Sequence, residues 1–427
     1  LIQFEVQWSI PALDCRKKLE MNKAFPVLLL LLLGMVTTSS FGQRGHGSLY
    51  STYGLGLPSY DNFGMAGRIG GTGAAVRSPY FLNSVNPASQ TSIQTGNTFM
   101  VDVDASYNYQ QVKTSSGSIA NNFSNLNYFS FWFRASQFLS VSIGLTPMYT
   151  KDYSFSDRVY FEGLSEEYDR VFRGWGNLNK AYMNFSTQIS PKFSVGIRPY
   201  FLFGNNTEEA TFLNVYEDGF VSKKQTSLTG VGADLGFQYM FFRNENSALI
   251  FGATGNINSE VKGKLNGNIY TYIDDELLYE AEESTESYEL GPSLRGGLAF
   301  HTKSWVWAAD YLYALKAPKV TQSVDNQVFS FGAELMPDYF STDFFKRWNY
   351  SFGASYQTGS LSVEGLKIPI YSVGAAVGVP LNVSSRVSIG YKYKTTGNKN
   401  TISQESLHTI TLNFTFADRW FQRYNYD

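Results

Sequence analysis

Few residues in this chain could do covalent chemistry. It has three histidines, His46, His301 and His408, far apart and with no serine or aspartate at an activating distance in sequence. His408, near the C-terminus, could serve as a base only if a serine nucleophile were brought to it by the fold. An interface or loop position explains it more simply. An acidic run, Asp274, Asp275, Glu276, Glu280, Glu282, Glu283 and Glu286, could hold hard cations that bridge it to lipopolysaccharide. Its spacing matches no calcium loop, and a solvated loop accounts for it. The single cysteine, Cys15, precedes an apolar run, so it is no lipoprotein acylation site and leaves no downstream thiol or disulfide chemistry. No catalytic residue, metal site or cofactor is assigned, and no enzymatic activity is expected.

The remaining chemistry belongs to charges set among apolar residues. Val387, Ile389, Tyr391 and Tyr393 alternate with Ser388, Gly390, Lys392 and Lys394; Ile410, Leu412, Phe414 and Phe416 alternate with Thr409, Thr411, Asn413 and Thr415. Successive strand side chains point to opposite faces, so each run has one greasy and one polar face. Many strands from about residue 97 onward carry the pattern, and no helical segment remains to cover them. Lipid is the solvent that suits the greasy face. The expected fold is all-β: a transmembrane antiparallel β-barrel of about 14 strands, apolar outward and polar inward. Charged residues make up 16% and aromatics 16% of the 427 residues, with a formal net charge of −2, which gives no footprint for nucleic acid.

Strand parity sorts side chains. Phe129, Phe131 and Phe133 face lipid with Ser130 and Trp132 inside; Val231, Ala233, Leu235, Phe237 and Tyr239 face out, and Trp305, Trp307, Ala309, Tyr311 and Tyr313 do likewise. The same parity sends Arg198, Asp234, Arg295, Asp310 and Glu334 into the lumen. Pairing across adjacent strands is their expected role, Arg295 with Asp310 in particular. A ligand carboxylate on Arg198 or Arg295 is the alternative.

Residues 1–20 read as a mis-called start before Met21. Residues 21–42 read as a signal peptide: basic Lys23, the apolar run 27–33, then Ser40-Phe41-Gly42 before a cut at Gln43. Residues 43–96 are rich in Gly, Ser and Asn yet hold Phe63, Met65, Ile69, Val76, Phe81 and Leu82. Irregular but apolar chain needs shelter, which a barrel lumen provides, so this segment is expected to be a plug. Residues 97–417 form the barrel and 418–427 a periplasmic tail.

Short turns fall at 135–137, 190–192, 243–246, 301–303, 338–346 and 381–385. Long polar loops are expected at 114–123, 152–176, 205–219, 262–286, 317–327, 359–367 and 396–406, with a hairpin at 158–172 as the alternative that would add two strands. That rhythm suits periplasmic turns alternating with extracellular loops. The loop 152–176 carries Phe155, Tyr160, Phe161, Phe172 and Trp175. Folding over the barrel mouth is the first expectation for these aromatics, and capture of a hydrophobic ligand the second.

Met65-Ala66-Gly67-Arg68, the glycine-rich stretch with Gly71 and Gly73, and Asn86-Pro87-Ala88 together resemble the hatch of the FadL/TodX outer-membrane transporters of fatty acids and aromatic hydrocarbons. The stretch 174–182 and the C-terminal 418–421 are similar to that family more distantly. Ser89 stands where the family usually has Gly, and the acidic residue before its Asn-Pro-Ala is absent. The resemblance implies a barrel of 14 strands, passive uptake of a small hydrophobic molecule, and lateral exit through a kinked third strand. Gly144 and Pro147 lie in that strand here. Proline lacks the ladder N–H, so Pro147 marks either a lateral gate or a plain bulge. The expected setting is the outer membrane of a Gram-negative bacterium, with lipid and lipopolysaccharide around a monomer. A structural or secretion-accessory barrel, with a secretion-machinery partner, is the alternative function.

Overall fold

A computed structural model describes residues 47–60, 63–93, 99–115, 117–160, 167–214, 219–338, 341–381 and 385–418. The expected signal segment and start, Phe161, and residues 419–427 of the tail lie outside the described residues. The chain forms a closed antiparallel barrel of 14 strands. These are β1 (Phe99–Thr114), β2 (Gly117–Arg134), β3 (Leu139–Tyr160), β4 (Glu167–Ser190), β5 (Phe193–Leu213) and β6 (Gly219–Arg243). β7 runs in two pieces, Ser247–Asn258 and Val261–Thr271, both paired with β6. β8 runs in three, Leu277–Glu280, Ser284–Tyr288 and Ser293–Thr302. Then come β9 (Trp305–Ala314), β10 (Asn326–Leu335), β11 (Asn349–Gln357), β12 (Ile370–Pro380), β13 (Arg386–Thr396) and β14 (Gln404–Asp418). β1 pairs with β14 from Phe99↔Asp418 to Lys113↔Gln404 and closes the sheet. Closure pairs the strand edges, as hydrocarbon demands.

Parity holds along the strands. Phe129, Phe237, Trp307, Tyr311, Ile389 and Ile410 are exposed on the outer face, whereas Trp132, Asp234, Gln238, Asp310 and Asn413 are buried inside. Residues 47–60 and 63–93 occupy the lumen. That plug contains a 3-10 turn (Leu49–Thr52), a two-residue strand (Leu57–Pro58), a short helix (Gly64–Arg68) and a second 3-10 turn (Pro87–Ser92). Its Met65, Ile69, Ala75, Val76 and Phe81 pack on Met240, Ile250, Ala299 and Ala308 of the barrel wall. This contact shelters those apolar side chains from water.

Four expected loops are corrected. Residues 114–123, 152–176, 205–219 and 262–286 are largely strand: β3 and β4 stay paired up to Tyr160↔Glu167, and β5 and β6 up to Leu213↔Gly219. These strands rise above the membrane, where both faces are wet. Alternation therefore disappears although the ladder continues. The expected short turn at 338–346 belongs to a longer connection, 336–348, with its own 3-10 turn at Phe345–Arg347.

Candidate functional site

The plug approaches the wall so closely that side chains must vanish at the contact. A Cβ on Gly196 would sit 2.5 Å from the Pro87 carbonyl carbon, on Gly236 2.3 Å from Asn86 Oδ1, and on Gly252 1.9 Å from the Ala74 oxygen. On Gly332 and Gly353 it would lie 2.2 Å from the Ile69 oxygen and the Gly70 nitrogen. These five inward glycines form a belt on which the plug backbone rests. Sequence reading missed them; glycine at inward parity on β5 to β7 and again on β10 and β11 was the available signal.

The hatch residues have distinct tasks. Gly71, at φ +88°, adopts a backbone shape that favours glycine. Gly73 has no room for a Cβ beside Val85. Asn86 is fully buried; its Oδ1 accepts from Ala88 N at 2.9 Å, capping the turn that Pro87 begins. Its Nδ2 donates to the Ala74 oxygen at 2.5 Å and the Phe237 oxygen at 3.0 Å, so one side chain joins two plug segments to β6. The Pro87 oxygen accepts from Asn184 Nδ2 at 3.3 Å.

The lumen charges do pair, and they also grip the plug. Arg198 bonds Asp234 at 2.7 Å, with Lys180 3.4 Å from the same carboxylate, and donates to the Ser84 oxygen. Arg295 lies 3.7 Å from Asp310 and donates to the Gly71 oxygen at 2.7 Å and the Tyr60 oxygen at 3.0 Å. Asp310 accepts from Gly73 N at 2.7 Å and Ala74 N at 2.9 Å. Glu334 instead accepts from Asn349 at 2.6 Å; Asn349 accepts from Arg386, whose guanidinium lies 5.0 Å over the ring of Phe81 in the plug. From the plug side, Arg77 donates to Gln238 at 2.8 Å and to Ser194. Burial, with Arg243 nearby, lowers Arg77 to about 10, so it stays cationic at neutral pH.

Pro147 marks a break in the wall. Pro147 pairs with Asn179 and Tyr149 with Leu178, which leaves Met148 as the extra residue of a bulge. β2 and β3 share a ladder only from Phe129↔Leu145 down to Arg134↔Ser140. Above that, β2 pairs with β1 as far as Gly117 but, among the described residues, not with β3. On the β3 side the plug fills the edge: Leu57 pairs with Thr150, Pro58 with Tyr149, and Ser59 N donates to the Met148 oxygen at 2.8 Å. Gly144, just below, makes room for Tyr182, whose hydroxyl lies 3.1 Å from Ser130 on β2.

A cavity of about 140 Å³ lies against this break. Met148 and Tyr149 of the bulge, Pro58 and Tyr60 of the plug, and Leu312, Val320 and Leu361 line it, with Lys180, Arg198 and Asp234 at its floor. Lys319, in the loop over the cavity, ties that loop to Glu260 at 2.8 Å and Glu289 at 3.2 Å. The aromatics expected in a capture loop lie on the β3–β4 hairpin instead. Phe155 and Phe172 stand ring to ring at 5.0 Å, with Arg170 4.7 Å over Phe172, while Trp175 is half-buried opposite Asp152. Tyr160 ends β3 at the hairpin tip. His408 sits against Tyr391 (2.7 Å) and the rings of Tyr109 and Tyr393, an outer-face aromatic setting.

A family model described as BamG matches residues 21–427. The chain belongs to the BamG family. The sequence resemblance pointed to FadL/TodX, and the solved structures explain why: this BamG-family barrel shares their fold. It superposes on the Pseudomonas putida toluene transporter TodX with TM-score 0.57 at 16% identity, covering 86% of this chain and 100% of that one. For the CymD monoaromatic hydrocarbon channel the values are 0.54, 12%, 83% and 97%. For a Pseudomonas aeruginosa FadL homologue they are 0.54, 11%, 84% and 98%. A search of curated proteins finds no match.

Proposed function

We propose that this barrel sits in a Gram-negative outer membrane and passes small hydrophobic molecules passively, from the extracellular mouth to a lateral opening between β2 and β3. The observation that carries this reading is the adjacency of cavity and break. One wall of the cavity is the Met148 bulge together with Pro58, the plug residue paired on the β3 edge. The plug strand Leu57–Pro58 is then a door between cavity and lipid. Size narrows the cargo. An apolar cavity of roughly 150 Å³ holds one benzene. A cavity of about 140 Å³ therefore has room for a one-ring compound. Phe155 and Phe172 offer a first landing surface above it. The neighbours described as toluene and monoaromatic hydrocarbon channels agree with that class.

A disulfide across the door tests this. Leu57 and Thr150 are register partners, and the only native cysteine is Cys15. In a Leu57→Cys/Thr150→Cys variant, oxidation should reduce toluene uptake to that of barrel-free vesicles, and reductant should restore it. Full uptake with the disulfide formed sinks the door. No uptake by the parent protein above the barrel-free control sinks transport and favours an accessory barrel, a reading supported by the many bonds that fix the plug.

A further inference from the structure

The crown of the β7–β8 hairpin carries a surface that transport does not use. Tyr272, Ile273, Leu277, Leu278 and Tyr279 are 44 to 67% exposed there. They cannot belong to the lipid-facing band. On β6 that band runs Tyr239, Phe237, Leu235, Ala233, Val231 and then turns polar at Thr229, Ser227 and Gln225. Phe220, which pairs with Thr271, lies about 11 residues beyond Val231, or about 36 Å along the strand. The apolar side chains thus stand in water well above the bilayer. Around them the charge is of one sign: residues 265–289 contain eight carboxylates and no lysine or arginine. Lys264, Lys224 and Lys319 neutralise Glu283, Glu286 and Glu289 at the base of this region. Asp274, Asp275, Glu276, Glu280 and Glu282, at the tip, form no ion pair with a described residue.

We propose that this tip is an extracellular docking site for a protein that presents an apolar groove edged with lysine and arginine. Clustered exposed apolar side chains rimmed by charge are what a specific interface leaves bare in the free partner. The carboxylates select a basic rim and speed encounter. They also repel the two other surfaces available at that height. Lipopolysaccharide phosphates are anionic, and a second copy of the tip would set five unpaired carboxylates against five.

The test uses the full chain in its own membrane with a photo-crosslinking benzoylphenylalanine at Leu278, and a control at Leu298, which faces lipid. The expected result is a protein adduct at Leu278 and none at Leu298. Its crosslinked peptide, read by mass spectrometry, should carry Lys or Arg beside apolar residues. The yield should fall more than fivefold in an Asp274→Lys/Asp275→Lys/Glu276→Lys variant that still migrates as a folded barrel in unboiled gels. A Leu278→Ser/Tyr279→Ser variant of the same fold, with the photo-probe moved to Leu277, should lose the adduct too. The proposal is overturned by no adduct, an adduct only with lipopolysaccharide or a second copy, an acidic crosslinked peptide, or a yield indifferent to charge reversal.

Discussion

The barrel has a tall wall and a short wall, and they obey different physics. β4 and β6 are 24 and 25 residues long, whereas β10 and β11 have 10 and 9. About 9–11 residues suffice to cross a bilayer. The short wall is therefore nearly all membrane span, with its inward glycines pressed against the plug. The tall wall spends more than half its length in water, where paired charges such as Arg170–Asp157 at 2.6 Å decorate a free-standing ladder. The plug is held by the membrane-level stretch of both walls, Gly196, Arg198 and Gly236 on the tall one and Gly332 and Gly353 on the short one, whereas the top of the tall wall has no plug to hold among the described residues.

One methyl group added to each wall should have contrasting consequences. Gly353→Ala puts a carbon where the plug backbone already lies, and Gly353→Val adds more. Nothing there is a flexible side-chain end, so the plug must shift. Conductance in planar bilayers should rise at least tenfold above the parent while the barrel keeps its folded mobility. Gly267→Ala, high on the tall wall, meets only Ala281 Cβ at 3.5 Å and should change nothing. Equal conductance in both variants would mean that the glycine belt does not seat the plug.

Next in size is Arg295→Ala. It removes donors to Gly71 and Tyr60 and leaves Asp310 buried without its cation. Breaking one partner of a buried pair costs about 3–5 kcal/mol. Protease cleavage of the plug from the lumen side, or loss of plug protection in hydrogen exchange, should report it. Lys224→Ala on the tall wall, paired with a half-exposed Glu286, should cost under about 1 kcal/mol.

The short wall was readable from sequence because lipid on one face and plug on the other impose strict period-2 burial. Trp305 to Tyr313 shows this, and so does the inward placing of Arg295, Asp310 and Glu334. The tall wall was not readable as strand. Where water wets both faces, residues such as Arg158, Asp169 and Lys223 fit loop and ladder equally well. Parity spoke to the direction of the charged side chains, but their grip on plug carbonyls and amides was hidden. Backbone acceptors carry no residue signature. Gly71, Gly73 and Asn86 stood out by type; Gly332 and Gly353 did not, because their constraint comes from chain more than 250 residues away. The break beyond Pro147 was half legible. A proline announces a bulge, but only the register shows that β2 leaves β3 there and that Leu57–Pro58 takes its place.

The smallest predicted effect concerns acid and the crown. Glu286 accepts from Tyr288 Oη at 2.5 Å and from Lys224 at 3.2 Å. The Tyr288 hydrogen bond, then the Lys224 contact, hold its carboxyl below the ordinary 4.5 despite partial burial. A depressed carboxylate stabilises the fold fully above its unfolded pKa and loses that contribution as pH falls through the folded value. The Glu286 contribution should therefore be intact at pH 6 and shrink steadily below about 4.5. Hydrogen exchange in residues 219–229 and 262–288 should then rise severalfold between pH 5 and pH 3, after correction for intrinsic rates. Residues 305–314 and 326–335, held by lipid and plug, should hardly change. Replacing Glu286 with Gln should flatten the crown's acid response while leaving the short wall as it was. If both walls loosen together on acidification, the crown is coupled to the belt, and the division between the walls fails.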